Sequence, residues 1–449
     1  MHIMHIRNSA FPKGVIHIIK TLKKHGFSAY AVGGALRDIL LKIPTDDFDI
    51  TTSARPQTIM KLFKKAIPTG IKYGTVTVIL PDGKFEVTTF RADEAYSDGR
   101  RPDRVLFTKN ITDDLSRRDF TINAIAYDPI TKELVDPFGG QKDLKKKLIR
   151  TVGKPKDRFL EDGLRPFRAC RFAAKLNFKI EPKTFAAIRQ TLRKAKVVSP
   201  ERIREELVKL LGAKKPSVGL ELMRRSGLLK IALPELERGF GIPQNEFHKY
   251  DIYWHNILSC DAAPPDITVV RMAALLHDIS KPECKDGPTF YGHEQVGCTV
   301  AARILKRLRF SNADSKKILN LIRCHMFDYT RNWSDAAVRR FIRRVGLENI
   351  ADLFVLRQAD LAAMGRKTSQ RYLPELQRRI LHIVRAENAL KLKDLAIDGH
   401  DIMKYLKLKP GPIVGKILNE LLEKVLDNPK LNTRKSLLSI AKSVEGIIA

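Results

Sequence analysis

The chain has 449 residues, too long for one compact domain and enough for about three. Apolar residues make up 43%, sufficient for real cores, and 82 lysines and arginines against 50 acidic residues leave a formal charge of +32. A folded chain this basic attracts a polyanion, RNA or DNA first, while no apolar run approaches the roughly 18 residues that would make a membrane partner. The N-terminus lacks the apolar stretch of a signal peptide. Cys170, Cys260, Cys284, Cys298 and Cys324 show no paired spacing, so reduced thiols and a cytoplasmic setting are expected.

In chain order, residues 12–25 read as a helix, 28–32 as a short strand and 35–42 as a second helix. Phe48–Thr52 reads as a strand and Pro56–Lys65 as a helix. Ile71–Leu80 and Lys84–Phe90 read as a hairpin turning at Asp82-Gly83. From Leu144 onward strand signals nearly vanish and the pattern is helical. The expected organisation is an α+β chain: a mixed α/β head over 1–140, a helical neck over 141–235, a helical body over 236–365 and a helical tail over 366–449. Gly365-Arg-Lys-Thr-Ser reads as a hinge.

The head carries the first chemical signal. In Tyr30-Ala-Val-Gly-Gly-Ala-Leu-Arg-Asp a strand ends in Gly33 and Gly34, and the following helix carries Arg37. Adjacent glycines let the backbone approach a phosphate, and the N–H groups opening the helix face that anion. In Asp46-Asp-Phe-Asp-Ile, Asp47 and Asp49 stand two apart on a strand, which puts both carboxylates on one face where they can hold Mg2+ beside a triphosphate. Glu86, in Phe85-Glu-Val-Thr-Thr-Phe-Arg, is the candidate third carboxylate. Arg117-Arg-Asp-Phe-Thr-Ile-Asn adds arginine forks suited to phosphate, and Asp119 and Asn123 are placed to accept from ribose hydroxyls.

The neck offers Glu161-Asp-Gly-Leu-Arg-Pro-Phe-Arg-Ala-Cys-Arg-Phe. Asp162 and Arg165 are three apart, so one helical face is expected to present both. Cytosine and adenine each show an exocyclic amine beside an unprotonated ring nitrogen, whereas uracil and guanine show the reverse. A carboxylate accepting from the amine and a guanidinium donating to the ring nitrogen fit C and A, and a wrong base leaves buried charge unpaired. Arg168 and Arg171 follow on the same helix as further nucleotide-binding candidates. Ser199-Pro-Glu-Arg-Ile-Arg-Glu-Glu-Leu reads as a braced helix start with Ser199 at the N-cap.

From about residue 28 to the end, with these motifs in this order, the chain resembles the class II tRNA nucleotidyltransferase and bacterial poly(A) polymerase superfamily. The resemblance implies a polymerase-β-like nucleotidyltransferase head and template-independent, Mg2+-dependent addition of the 3′ C-C-A of tRNA from CTP and ATP. It leaves open a poly(A) polymerase or an enzyme adding only A. The polar loop Arg91–Val105 looks like the flexible loop that members use to add the terminal A. In the body, His255, His277-Asp278, His293, His325 and Asp360 resemble an HD phosphohydrolase module. That likeness implies one metal held by His255, His277, Asp278 and Asp360, with His293 and His325 supporting a second. Imidazole plus carboxylate suits Mn, Fe, Co, Ni or Zn. It also keeps open a rival in which the chain is a phosphohydrolase and the head only binds RNA. The basic runs at 303–309 and 339–344 read as helical faces able to hold tRNA through phosphate contacts.

Overall fold

In the computed structural model, which describes residues 6, 8–94, 104–287, 289–365, 372–386 and 391–448, the chain divides into two compact units, 1–237 and 238–449. The first opens with helix α1 (Lys13–Lys24), whose Val15, Ile18, Ile19 and Leu22 recur at helical spacing and are buried. Strand β1 (Ala29–Val32) runs into α2 (Gly33–Leu40), followed by β2 (Asp49–Thr52), α3 (Pro56–Leu62), β3 (Ala66–Gly70), β4 (Thr75–Leu80) and β5 (Gly83–Thr89). Strands β6 (Arg91–Glu94) and β7 (Arg104–Phe107) make a separate ribbon; β8 (Ala126–Tyr127) and β9 (Leu134–Val135) return to the main sheet. That sheet has seven strands in the order β3-β4-β5-β2-β1-β8-β9. β1 is antiparallel to β2, and β2 is parallel to β5, with Asp49 in register beside Glu86.

Two boundaries differ from the sequence reading. The helix expected to reach Lys65 stops at Leu62, because Phe63 turns to extended backbone and Ala66–Gly70 pairs with β4. Pro68 is compatible with that strand because it lies at the sheet edge. In the hairpin, Leu80 pairs with Gly83, so the turn is Pro81-Asp82. The polar loop of 91–105 runs through 95–103, which lie outside the described residues, as do residues 366–369 of the expected hinge.

Beyond the sheet, α4 (Ile111–Ser116) and α5 (Gly140–Lys145) precede a helical stack: α6 (Pro155–Glu161), α7 (Arg165–Leu176), α8 (Pro182–Gln190), α9 (Leu192–Lys196), α10 (Pro200–Leu211) and α11 (Pro216–Ser226). α6, α8, α10 and α11 each begin on a proline, whose missing N–H costs nothing at a helix start. Ser199 stands at the N-cap of α10, though its side chain makes no capping hydrogen bond. α7 packs against α10 and α11, burying Phe167, Ala169, Cys170 and Ala173.

In the second unit every named element among the described residues is a helix. Helix Ile252–Ala262 packs on Thr268–Leu276 and Ile350–Ala363 around Ile257, Leu275, Leu353 and Leu356. The basic run at 339–344 differs from a free solvated face. Arg339 donates to the Leu426 carbonyl, and Arg340 and Arg343 pair with Glu423, tying Asp335–Val345 to Pro412–Asp427. All five cysteines are free. Among the described residues, no helix is long and apolar enough to cross a membrane.

Between α6 and α7, Gly163 lies against the α9 backbone: a Cβ there would stand 2.3 Å from the Lys194 carbonyl oxygen and 2.9 Å from a Val198 methyl. Gly163→Ala is therefore expected to force the α6–α7 turn off that backbone and destabilise the first unit by about 1–3 kcal/mol, read by denaturant unfolding.

Candidate functional site

The carboxylates gather at the end of the β1–β2–β5 strip. Asp49 is the first residue of β2, and Asp47 precedes the strand, so strict strand alternation does not place the pair; both nevertheless line one cavity of about 750 Å3. Glu86 lies beside Asp49 in the parallel ladder, more exposed and outside the cavity lining. Burial raises the Asp49 carboxyl to about 6; Arg118 opposes the shift, while Asp47 and Glu86 add to it. The cluster thus carries more negative charge than its surroundings neutralise, and its all-oxygen donor set fits a hard divalent cation.

Gly33 closes the other side. Its φ of +77° is a left-handed conformation, and a Cβ would stand 3.2 Å from Asp49 Oδ2 and 3.1 Å from Arg118 Nη1. Any side chain there would enter the space between carboxylate and guanidinium. Gly34 lines the cavity next to it. Arg118 is held by Asp114 at 3.3 Å, and its buried Nε has no protein hydrogen-bond partner. The sequence reading quoted Arg118 within its motif but singled out Arg117. In the structure Arg117 is clamped on Asp114 through Nε (3.0 Å) and Nη2 (2.7 Å), and Arg118 faces Asp49.

A chain of buried charges forms the cavity wall. Arg37, expected to lend charge to a phosphate, is buried and donates to Asp38 and to Asn123 Oδ1, each at 2.7 Å. Asn123 Nδ2 donates to Asp119 Oδ1 at 3.0 Å, and Arg168 Nε donates to Asp119 Oδ2 at 2.7 Å. Asp119 and Asn123, expected to meet ribose, are thus engaged with one another and with arginines. Glu206 on α10 then receives Arg171 Nε at 2.5 Å and lies 3.6 Å from Arg168 Nη1. Phe172 sits among the guanidinium groups of Arg37, Arg168 and Arg171, at 5.0, 5.4 and 4.0 Å from its ring centre.

Asp162 and Arg165 reach the same cavity by a different route from the one expected. They do not share a helical face, because α6 ends at Glu161, Asp162 takes extended backbone and α7 starts at Arg165. Asp162 Oδ1 accepts from the Leu164 N–H (2.9 Å) and Oδ2 from Arg202 Nη2 (2.8 Å). Arg165 donates to the carbonyls of Arg158 (2.9 Å) and Arg117 (3.0 Å) and pairs with Glu161. The pair is set by a turn and a hydrogen-bond frame. Arg202, Lys175, Lys209 and Thr45 also line the cavity and went unnoticed in the sequence. Only the Glu-Arg of the α10 motif signalled one of them, and it read as bracing.

The second unit builds a separate cluster. His255, His277, Asp278, His293, His325 and Asp360, far apart in sequence, converge there, all of them buried. His255 Nε2 lies 3.1 Å from both His277 Nε2 and Asp360 Oδ1. Asp278 Oδ2 is 3.3–3.4 Å from those two imidazoles, and its Oδ1 is 3.2 Å from His293 Nε2 and 3.7 Å from His325 Nε2. Nδ1 of His277, His293 and His325 each donates to the carbonyl three residues back, Ala274, Phe290 and Ile322, at 2.7–2.8 Å. That engages Nδ1–H and leaves Nε2 as the nitrogen turned toward the cluster, the atom from which a metal ion would displace any proton. Nε2 of His293 and of His325 is buried without a hydrogen-bond partner. Burial opposes charge on His277, yet the Asp278 and Asp360 carboxylates outweigh it and raise its pKa to about 10. The cluster accordingly favours positive charge at its centre, and its N/O donor set fits a transition-metal ion. It floors a cavity of about 520 Å3.

Comparison with known proteins gives a consistent picture. The Poly A polymerase head domain model matches residues 29–150, a polymerase A RNA- and SrmB-binding model matches 177–240, and a model for tRNA nucleotidyltransferase domain 2 matches 295–441. The chain is 32% identical to the CCA-adding enzyme of Enterococcus faecalis, over 95% of this chain and 94% of that one. It is 34% identical to the CCA-adding enzyme of Lactococcus lactis, over 95% and 96%. The crystal structure of the Bacillus stearothermophilus CCA-adding enzyme in complex with CTP superposes with a TM-score of 0.75 at 28% identity, covering 96% of this chain and 97% of that one.

Asp119 is the node of the buried wall. Burial pushes its carboxyl up, but Arg168 and Asn123 outweigh burial and hold it well below the usual carboxylate range. A depressed pKa contributes stability that is fully present above the unfolded value of about 3.9 and lost as pH falls toward the folded one. Asp119→Asn should therefore be less stable than wild type at pH 7. Its unfolding free energy should also fall less steeply between about pH 4 and pH 2, as read by denaturant melts across that range.

Proposed function

The chain belongs to the CCA-adding enzymes of the nucleotidyltransferase family, and from that premise we propose that it adds or repairs the 3′ C-C-A of tRNA from CTP and ATP without a nucleic-acid template. The observation that carries this reading is the single cavity in which Asp47, Asp49, Gly33 and Arg118 stand opposite Asp162 and Arg165. The family works with divalent metal. Mg2+ held by Asp47, Asp49 and Glu86 would lower the pKa of the RNA 3′-hydroxyl and offset the charge of the departing pyrophosphate. Gly33 and Gly34 open space for the triphosphate against the start of α2, and Arg118 meets its charge with the unpaired Nε. Asp162 accepts from the exocyclic amine of C or A and Arg165 donates to the ring nitrogen, both held by the frame that fixes their orientation. The basic surface engages tRNA phosphates in a cytoplasmic setting. The head, neck, body and tail divide at residues 140, 235 and 365.

A second reading is favoured by the unpartnered Nε2 atoms of His293 and His325 in the second unit: the cluster holds Mn, Fe, Co, Ni or Zn and hydrolyses phosphate esters at RNA ends, such as 2′,3′-cyclic phosphates, which block the hydroxyl that the first site extends.

The deciding assay supplies tRNA lacking C-C-A with CTP, with ATP, and with both. The expected outcome is two C residues with CTP alone and a complete C-C-A with both; long runs of A from ATP alone would instead identify a poly(A) polymerase. Asp49→Ala should lower nucleotide addition by about 10²–10³-fold or more while leaving phosphate-ester hydrolysis intact. Asp162→Ala should narrow the preference for CTP over UTP at least about tenfold, because the rejected base no longer strands a buried carboxylate.

A further inference from the structure

One imidazole at the second cluster lies outside the pattern that signalled it. His248 belongs to the loop preceding helix Ile252–Ala262, lines the cavity over the cluster, and meets the His255 ring edge-on at 4.9 Å between centres. One of its ring nitrogens lies within 4.8 Å of ligand atoms of both His255 and Asp278. Its orientation follows the same device as the three helix-end histidines. Nδ1 of His248 is 2.7 Å from Asn245 Oδ1, again three residues back. That Asn245 oxygen also accepts from the Phe247 backbone N–H at 3.3 Å. A backbone N–H can only donate, so the Asn245 atom is the amide oxygen and His248 Nδ1 carries the proton. The lone pair is therefore on Nε2, and Nδ1 is the engaged nitrogen, as in His277, His293 and His325. The loop is fastened to the cluster as well: Lys281 Nζ donates to Gln244 Oε1 at 2.7 Å and pairs with Asp278 Oδ2 at 2.6 Å.

We propose that His248 is an additional imidazole ligand of this metal centre, delivered by a loop where the other ligands come from helices and their ends, and that Asn245 sets its tautomer. The proposal rests on reading the cluster as a metal centre. Two features separate His248 from a packed core histidine. It borders open cavity on one side, and its Nδ1 proton is already engaged by a built hydrogen bond, which leaves Nε2 as the nitrogen able to ligate. A loop-borne ligand would let the centre change coordination when a phosphate ester enters, without moving the helices that carry the remaining ligands.

The test uses the full-length chain, stripped of metal with a chelator and titrated with Co2+, followed by visible ligand-field absorption and by metal analysis after gel filtration. Wild type should take up Co2+, and Asp278→Asn should lose it. His248→Ala should bind Co2+ at least about 100-fold more weakly with an altered absorption band, and Asn245→Ala should show a smaller loss of about tenfold, typical of an outer partner that orients a ligand. Thermal melts by circular dichroism check folding, and His248→Gln replaces His248→Ala if the latter unfolds. Co2+ uptake by wild type with an identical titration and spectrum for the His248 variant would overturn the proposal and leave the metal centre standing. No uptake by wild type would overturn both.

Discussion

The parallel pairing of β2 with β5 is the constraint on which the first site depends. That register sets Asp49 beside Glu86, with Asp47 just before the strand, at one end of the sheet. Burial of Asp49 is the main cause that raises its carboxyl to about 6, and the neighbouring Asp47 and Glu86 carboxylates add to it. Arg118, across the space that Gly33 keeps open, opposes that shift. The fold thus holds an electrostatic deficit at the spot where a divalent cation and a triphosphate would complete the balance.

Around that deficit the protein is densely cross-linked. Asp38, Arg37, Asn123, Asp119, Arg168, Glu206 and Arg171 form one series of hydrogen bonds and ion pairs from α2 to α10, with Phe172 packed among three of its guanidinium groups. Buried charges of this kind contribute little net stability, but removing one partner strands another. Their use here is geometric: they tie α2 and the Asp119–Asn123 segment to α7, whose first residue is Arg165, and to α10, whose Arg202 holds Asp162. Arg202 extends the same logic by occupying the second oxygen of Asp162.

The second unit solves the opposite problem. Its centre gathers imidazoles and two carboxylates, and the Nδ1–H groups of three histidines are tied to carbonyls three residues upstream. These bonds span three residues at the end or the start of a helix, so each ring's orientation is set locally. Three of the polar atoms left unpaired in this buried cluster, Asp278 Oδ1 and the Nε2 atoms of His293 and His325, lie close to one another.

The linear chain determined which donor types stand close together wherever chemistry and local geometry coincide. The Gly-Gly turn, the Asp-x-Asp pair and the His-Asp dipeptide could be picked out as candidates because a phosphate cradle, a carboxylate pair and an imidazole-carboxylate site each need those residue types within a few positions. Helical versus sheet composition also announced an α/β start followed by helices, since the two periods differ. What spacing could not give was partnership. Asp162 and Arg165 look like an i, i+3 helical pair, yet Gly163 lets the chain break the helix between them, and the pair's geometry comes from Leu164, Arg202 and the Arg117 carbonyl. Arg37 reads as a free cation and is buried against Asp38 and Asn123. Arg118 and Arg202 stand inside motifs, but nothing local says that they face Asp49 and Asp162, and His248 carries no distinctive local pattern; each meets its site only when distant segments close on one another. Local sequence sets the kinds of donor and acceptor available, and long-range packing decides which of them are neutralised and which are left facing the cavity.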